Sequence, residues 1–267
     1  MKYVALDYDG FICKSFFAAH RDEVKAEEIL DDLTRTAIDK AFDYFQTNDI
    51  KAYYVVSGHS WKKDLYPDYK ATREKDPYVG AFRDYIINTT SNIVKPESLE
   101  ADELCIMLHD YAVEKGHECI IFSDDKDLRY SSLINCKVNL TEKIDLSYDE
   151  RYLYEQMLAG DKEDDIKGIN KVGMKTAERL LDANGFNIEG VIKTYRDKEV
   201  SKEECKKNIN LIIPMKREFN TKPNTYDEIC RRVLKDGNTN ISDHLITIIQ
   251  KGQLEYINRK VDAIYER

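Results

Sequence analysis

The run ECIIFSDDKDLRY, Glu118 to Tyr130, drives an apolar segment straight into three aspartates, Asp124, Asp125 and Asp127. A short apolar run bounded by polar residues reads as a buried strand, which places this charge at the strand's carboxyl end. Two more runs have the same character: Lys2–Leu6, followed at once by Asp7, and Ala52–Val56, AYYVV. Helical spacing lies between them. Residues 28–46 set Ile29, Leu33, Ala37, Ala41 and Phe45 four apart, and Ala101–Lys115 carries Leu104, Met107, Leu108 and Tyr111 on one face before Gly116, a helix-terminating glycine. With a further strand expected over Lys137–Leu140, strands alternating with helices predict an α/β fold, a mainly parallel central sheet flanked by helices. The stretch SGHSWKKDLYPDYKATREKDP is polar, basic and broken by prolines, so it is expected to be mostly loop. After residue 150 the pattern turns helical: Tyr152–Ala159, Lys175–Asn184 and three more helices between Tyr226 and Arg267. Residues 1–150 are therefore read as the α/β core and 151–267 as a helical region that completes its site.

In an open parallel sheet, ligands bind in the crevice beyond the carboxyl ends of the strands. Asp7, Asp125 and Asp127 fall there. Glu100 and Asp102 open a helix, where the dipole favours carboxylates. Asp161, Asp164 and Asp165 follow the helix that ends near Gly160. Two carboxylates about 4–5 Å apart repel by roughly 3–4 kcal/mol at an effective dielectric of ~20. A crevice shared by all these groups must bind protons or cations. Hard divalent ions, Mg²⁺ or Mn²⁺, are the natural partners of an all-oxygen donor set, and the lack of histidine in these stretches counts against zinc.

The net charge of −9 argues against a nucleic-acid binder taken globally, yet Lys and Arg gather between Ile166 and Leu180 and again between Lys193 and Lys235. In IKGINKVGMKTAERLL, Gly168 and Gly173 bracket a short turn before a helix, the pattern of a helix–hairpin–helix over residues 166–185. Its glycines let backbone amides approach a phosphate, and Lys171, Lys175 and Arg179 add positive charge, so it would hold DNA without reading its sequence. Cys13, Cys105, Cys119, Cys136, Cys205 and Cys230 include no CxxC pair and read as free thiols in a reducing compartment. No apolar run approaches the ~20 residues needed to span a bilayer, and the first residues look like a strand rather than a leader. The expectation is a soluble cytoplasmic protein, monomeric and not membrane-bound.

LDYDGFICKSFFA, WKKDLYPDYKATR, LEADEL, FSDDKDL and GDKEDDIKGINKVGMKTAERLL, in this order, resemble the 5′-nuclease family: flap endonucleases, the 5′-nuclease domains of bacterial DNA polymerases and phage 5′→3′ exonucleases. The resemblance runs from Asp7 to about Gly185. It implies a PIN-like core and a two-metal 5′→3′ exonuclease or flap endonuclease, leaving 5′-phosphate and 3′-hydroxyl products in primer removal, repair or DNA degradation. Its substrate would be duplex DNA with a 5′ end, nick or flap, or an RNA–DNA hybrid. The implied metal carboxylates are Asp7, Glu100, Asp102 and Asp125 for one ion and Asp127, Asp161 and Asp164 for the other, with Asp125 shared. Lys70 and Arg73 would steer the scissile phosphate and Tyr69 would stack on a base. DNA contacts are further implied for Lys14, Lys62, Lys63, Gly168, Lys171, Gly173, Lys175, Thr176 and Arg179, with a K⁺ ion among the hairpin carbonyls. One position departs: after AYYVV the family has a metal-site aspartate where this chain has Ser57, with His59 and Asp64 nearby as compensating groups. Two rival expectations follow, a branched-DNA binder that does not cut and a PIN-type ribonuclease.

Overall fold

The computed structural model describes residues 1–125, 128, 133–134, 150–237 and 241–266. A parallel sheet lies at its centre, in the order β3-β2-β1-β4-β5. Its strands are β1 (Lys2–Asp7), β2 (Ile50–Val55), β3 (Ile93–Val94), β4 (Glu118–Phe122) and β5 (Leu133–Ile134). β1 is central, pairing Leu6 with Tyr54 on one side and with Phe122 on the other. The strand expected over Lys137–Leu140 and the residue Cys136 lie outside the described residues. The other five cysteines are free, and no helix among the described residues is long and apolar enough to cross a membrane.

Successive strand residues point to opposite faces, and the two faces build two cores. Tyr3, Ala5, Cys119 and Ile121 enter one; Val4, Leu6, Ile120 and Phe122 enter the other. The second core is closed by α1 (Tyr8–Ala18), α2 (Glu23–Phe45) and α4 (Pro77–Thr89), where Phe16 and Phe82 meet at 5.3 Å. α2 begins six residues before Ile29, the first of the spaced apolar positions, because the Asp22 side chain accepts from the Lys25 amide and caps it. Against the first core lies α5 (Ala101–Glu114), which ends as expected at Gly116, φ +75°. The basic stretch after β2 is indeed mostly loop, broken by the single turn α3 (Trp61–Leu65).

The helical region is α6 (Glu150–Ala159), α7 (Met174–Asn184), α8 (Ile188–Asp197), α9 (Lys202–Ile212), α10 (Pro223–Leu234) and α11 (Asp243–Tyr265). Between Tyr226 and Arg267 there are two helices among the described residues rather than three. One contiguous core joins this region to the sheet, running from Tyr3 through Leu104 and Tyr195 to Val261. Tyr53 donates to the Leu234 carbonyl at 3.0 Å, so the two sequence halves share a buried hydrogen bond as well as apolar contact. Between α6 and α7 a two-residue antiparallel pair, β6 (Gly160–Asp161) with β7 (Ile166–Lys167), turns the chain and presents Asp161 and Asp164 toward the start of α5. This hairpin needs its glycines: Gly160 has φ +76°, and a Cβ on Gly168 would lie 2.1 Å from the Ala159 carbonyl carbon.

Candidate active site

The carboxyl ends of β1 and β4 and the start of α5 open into one cleft of about 330 Å³. Asp7, Glu100, Asp102 and Asp125 line it together with Lys70 and Arg73. Asp7 ends β1. Ser123, the first residue past β4, donates its hydroxyl to Asp7 at 2.7 Å and accepts the Asp125 amide at 3.0 Å, which fixes the two aspartates to one side chain. Burial pushes the Asp7 carboxyl up to about 7; the Ser123 hydrogen bond opposes the rise, while the like charges of Asp9 and Asp125 add to it. Glu100 caps α5 in a capping box with Glu103, and Asp102 sits in the first turn. Burial and then the Glu100 charge raise Asp102 well above the ordinary carboxylate range. For Glu100 itself burial also opposes ionisation, but Lys70 and then Lys62 outweigh it and hold this carboxyl low.

Lys70 ties the cleft to the region after residue 150. It sits in the left-handed region, φ +52°, with its amide donating to the Asp164 carbonyl at 3.0 Å. Its ammonium lies 2.5 Å from Glu100 and 3.5 Å from Asp164, and Arg73 reaches Asp164 at 3.1 Å. Asp164 is buried, which raises its carboxyl against the opposing pull of Lys70 and Arg73. Asp161, also buried, accepts from Gln156 at 2.8 Å and from the Glu163 amide at 2.8 Å. Asp161 and Asp164 line a small enclosed pocket of about 20 Å³, and Asp102 lines both this pocket and the open cleft.

Six of the seven acids expected from the sequence are thus gathered around two adjoining cavities, and the seventh, Asp127, lies outside the described residues. Lys62, Lys70 and Arg73 lie among them. Among the described residues no three His, Cys, Asp or Glu side chains converge tightly enough to enclose an ion as they stand. The donor set nonetheless fits a hard cation: it is all oxygen, and burial and mutual repulsion leave Asp7 and Asp102 seeking positive charge.

Two expected DNA contacts are corrected. Lys62 is buried and pairs with Glu103 at 3.3 Å, facing carboxylates rather than solvent. Tyr69 is 3% exposed, and its hydroxyl donates to Glu100 at 2.8 Å and to Asp164 at 3.3 Å, so its ring has no face free for a base. A stacking residue would work as phenylalanine, whereas this one would not. Tyr69→Phe is expected to lower unfolding stability by about 1.5–3 kcal/mol, the worth of a hydrogen bond to a charged group, read by urea denaturation. Lys63 is half-buried, and Lys14 pairs with Asp124 at the cleft margin. His59 and Asp64 bond each other at 2.7 Å on an exposed edge and do not compensate for Ser57.

Lys171, Lys175 and Arg179 are exposed along the turn and first face of α7, with Thr176 half-buried among them. Gly173 caps this helix, and the Lys171 backbone is left-handed at φ +61°. Two site residues escaped the sequence reading: Asp9, which lines the cleft, and Arg83, which binds it at 2.6 Å. The second acid of DYDG was a visible signal; its partner, on another helix, was not.

The family described as "5'-3' exonuclease, N-terminal resolvase-like domain" matches residues 2–158. DNA polymerase I of Borreliella burgdorferi is 27% identical over 169 residues, covering 54% of this chain and 19% of that protein. Flap endonuclease Xni of Shewanella denitrificans is 28% identical over 193 residues, covering 65% of this chain and 75% of that protein. The chain thus spans about a fifth of that polymerase and three quarters of that flap endonuclease. Among solved structures, a bacteriophage T5 flap endonuclease in a pseudo-enzyme–product complex with DNA and metal ions shares the fold at TM-score 0.58, 14% identity and 100% coverage of both chains. T5 5'-exonuclease with zinc bound gives TM-score 0.58 at 14% identity, covering 100% of this chain and 99% of that one.

Proposed function

Because the chain belongs to the 5'-3' exonuclease family, we propose that it is a divalent-metal-dependent nuclease that hydrolyses DNA phosphodiesters at 5′ ends, nicks and flaps, leaving a 5′-phosphate and a 3′-hydroxyl. One observation carries this reading: acids from β1, β4 and α5 share a cleft with two cations, Lys70 and Arg73, that also reach Asp164 from the hairpin after α6. Asp7, Glu100, Asp102 and Asp125 would hold one Mg²⁺ or Mn²⁺, and Asp161 and Asp164, with Asp127, the second. Bound there, the ions would supply the charge that activates water for in-line attack and offsets charge building on the scissile phosphate.

The chain's own groups do the rest. Lys70, already among carboxylates, would donate to the phosphate oxygen and keep Glu100 ionised. Arg73, whose side chain is 58% exposed, is free to swing from Asp164 to the incoming backbone. Amides of the Gly168–Gly173 turn, with Lys171, Lys175 and Arg179, would clasp the duplex through its phosphates in the manner of a helix–hairpin–helix, with K⁺ among the turn's carbonyls. Lys14 and Lys63 would add contacts at the cleft margin.

The rival reading, a branched-DNA binder that does not cut, draws on the uncharged Ser57 and the lack of a ready-made cage among the described residues. End-labelled duplex, nicked and 5′-flap DNA, with RNA-flap counterparts, incubated with Mg²⁺ or with EDTA, separates the readings. Metal-dependent short products from DNA support the nuclease. Binding without products at any Mg²⁺ or Mn²⁺ concentration would sink it, and cleavage confined to RNA would make it a ribonuclease.

Metal should also register in stability. Folded Asp7 keeps its proton up to about pH 7, whereas the unfolded side chain loses it near 3.8. Its contribution is therefore full below the unfolded value and lost as pH rises through the folded one. The metal-free protein is expected to lose thermal stability between pH 5 and 8, and Mg²⁺ to raise the melting temperature more at pH 8 than at pH 5.5. Differential scanning fluorimetry checks both; an equal Mg²⁺ shift at the two pH values would contradict the assignment of Asp7.

A further inference from the structure

We propose that Asp9, gripped by Arg83 and by the Ser57 amide, is a cation-facing carboxylate of the cleft, and that Arg83 is the residue that positions it. The inference rests on the nuclease reading and extends its ligand set. Asp9 stands in the first turn of α1, two residues after Asp7, and lines the same cleft as Asp7, Glu100 and Asp102. One carboxylate oxygen accepts from the Arg83 Nε at 2.6 Å and the other from the Ser57 amide at 2.7 Å. An ionised carboxylate offers about four acceptor sites, so two remain for a cation or the water around it.

The geometry is a closed ring. Arg83, carried by α4, also donates to the Ser57 carbonyl at 2.5 Å, while Asp9 holds the Ser57 amide. The Ser57 hydroxyl accepts from the Ala101 amide at 3.0 Å, at the start of α5. Position 57 therefore supplies one backbone donor and one backbone acceptor, while the carboxylate in this corner is that of Asp9. The side chains of Asp9 and Arg83 are 24% and 23% exposed, enough to meet a ligand and too little to rotate freely. Outer partners of this kind orient metal-binding carboxylates, and their loss typically costs about 10–100-fold in metal affinity. A surface ion pair between α1 and α4 with no tie to the cleft would have none of these consequences.

The test is Mn²⁺ binding by isothermal titration calorimetry in the absence of DNA. Asp9→Asn is expected to weaken Mn²⁺ about tenfold or more. Arg83→Gln should weaken it in the same direction, and Arg83→Lys should recover part of the loss. Because the Ser57 amide already touches the Asp9 carboxylate, an acid placed at 57 enters the same corner, so Asp9→Asn combined with Ser57→Asp should return affinity to within about threefold of the parent. Unchanged Mn²⁺ affinity in folded Asp9→Asn, in a preparation whose parent protein binds Mn²⁺ and cuts DNA, overturns this inference and leaves the nuclease reading standing. A parent protein that binds no Mn²⁺ overturns both. Should Asp9→Asn fail to fold, Arg83→Gln carries the test, and unchanged affinity in it overturns the proposal.

Discussion

Lys70→Ala is expected to slow cleavage about 10²–10³-fold under single-turnover conditions while leaving duplex affinity within about threefold, the size seen when one donor to a developing charge is removed. The lysine is built into the site more firmly than a surface cation could be. Its left-handed backbone is pinned to the Asp164 carbonyl, and its ammonium bridges Glu100 and Asp164, acids that arrive from α5 and from the hairpin after α6. It also lies within range of Asp7, whose rise it opposes. Without it, Glu100 loses its chief counter-charge, and the cleft loses the group that, in the proposed nuclease, would meet a phosphate. Ground-state affinity should survive, because Lys171 in the turn before α7 and Lys175 and Arg179 on α7 are exposed and lie outside this network. A variant that loses binding and rate in equal measure would show Lys70 acting as a docking charge only. One that loses neither would remove it from the mechanism.

What the sequence made legible follows from which signals are local. The core strands announced themselves, since β1 and β4 are apolar on both faces, as strands covered by helices on two sides must be. The acids at their ends were equally plain, because a carboxylate abutting an apolar run has few structural reasons to be there. α1 was hidden for the opposite reason: it starts at Tyr8 with no turn after β1, and Phe11, Ile12 and Phe16 bury while Phe17 stays exposed, which blurs any stripe. α8 and α9 carry a local signal of their own, since Asn187 and Ser201 cap them through ordinary side-chain bonds to Gly190 and Glu204. Lys62, Tyr69, Asp9 and Arg83 mark a limit of another kind. A lysine in a basic loop reads as solvated until its partner is known, and Glu103 or Arg83 sits tens of positions away. Only the fold decides which loop cations face water.

Lys62 carries a large expected stability effect. Its ammonium is buried with the Glu103 carboxylate, which also receives the Trp61 indole at 3.2 Å. Burial by itself lowers the basicity of such a lysine. The charges of Glu103, Glu100 and Asp102 outweigh burial and hold its basicity above the ordinary value. Removing one member of a buried pair strands the other charge, at a cost of about 3–5 kcal/mol, whereas replacing both with well-packed apolar groups is often close to neutral. Lys62→Met is therefore expected to cost about 3–5 kcal/mol by urea unfolding, a large share of the ~5–15 kcal/mol that holds a typical domain together. The double replacement Lys62→Met with Glu103→Leu should recover much of that. Recovery of stability need not bring recovery of activity, because Lys62 also balances Glu100 and Asp102 at the cleft wall. A double variant that is stable yet binds divalent ions differently would show that this buried cation tunes the acids. Equal losses in the single and double variants would mean the pair contributes by packing rather than by charge.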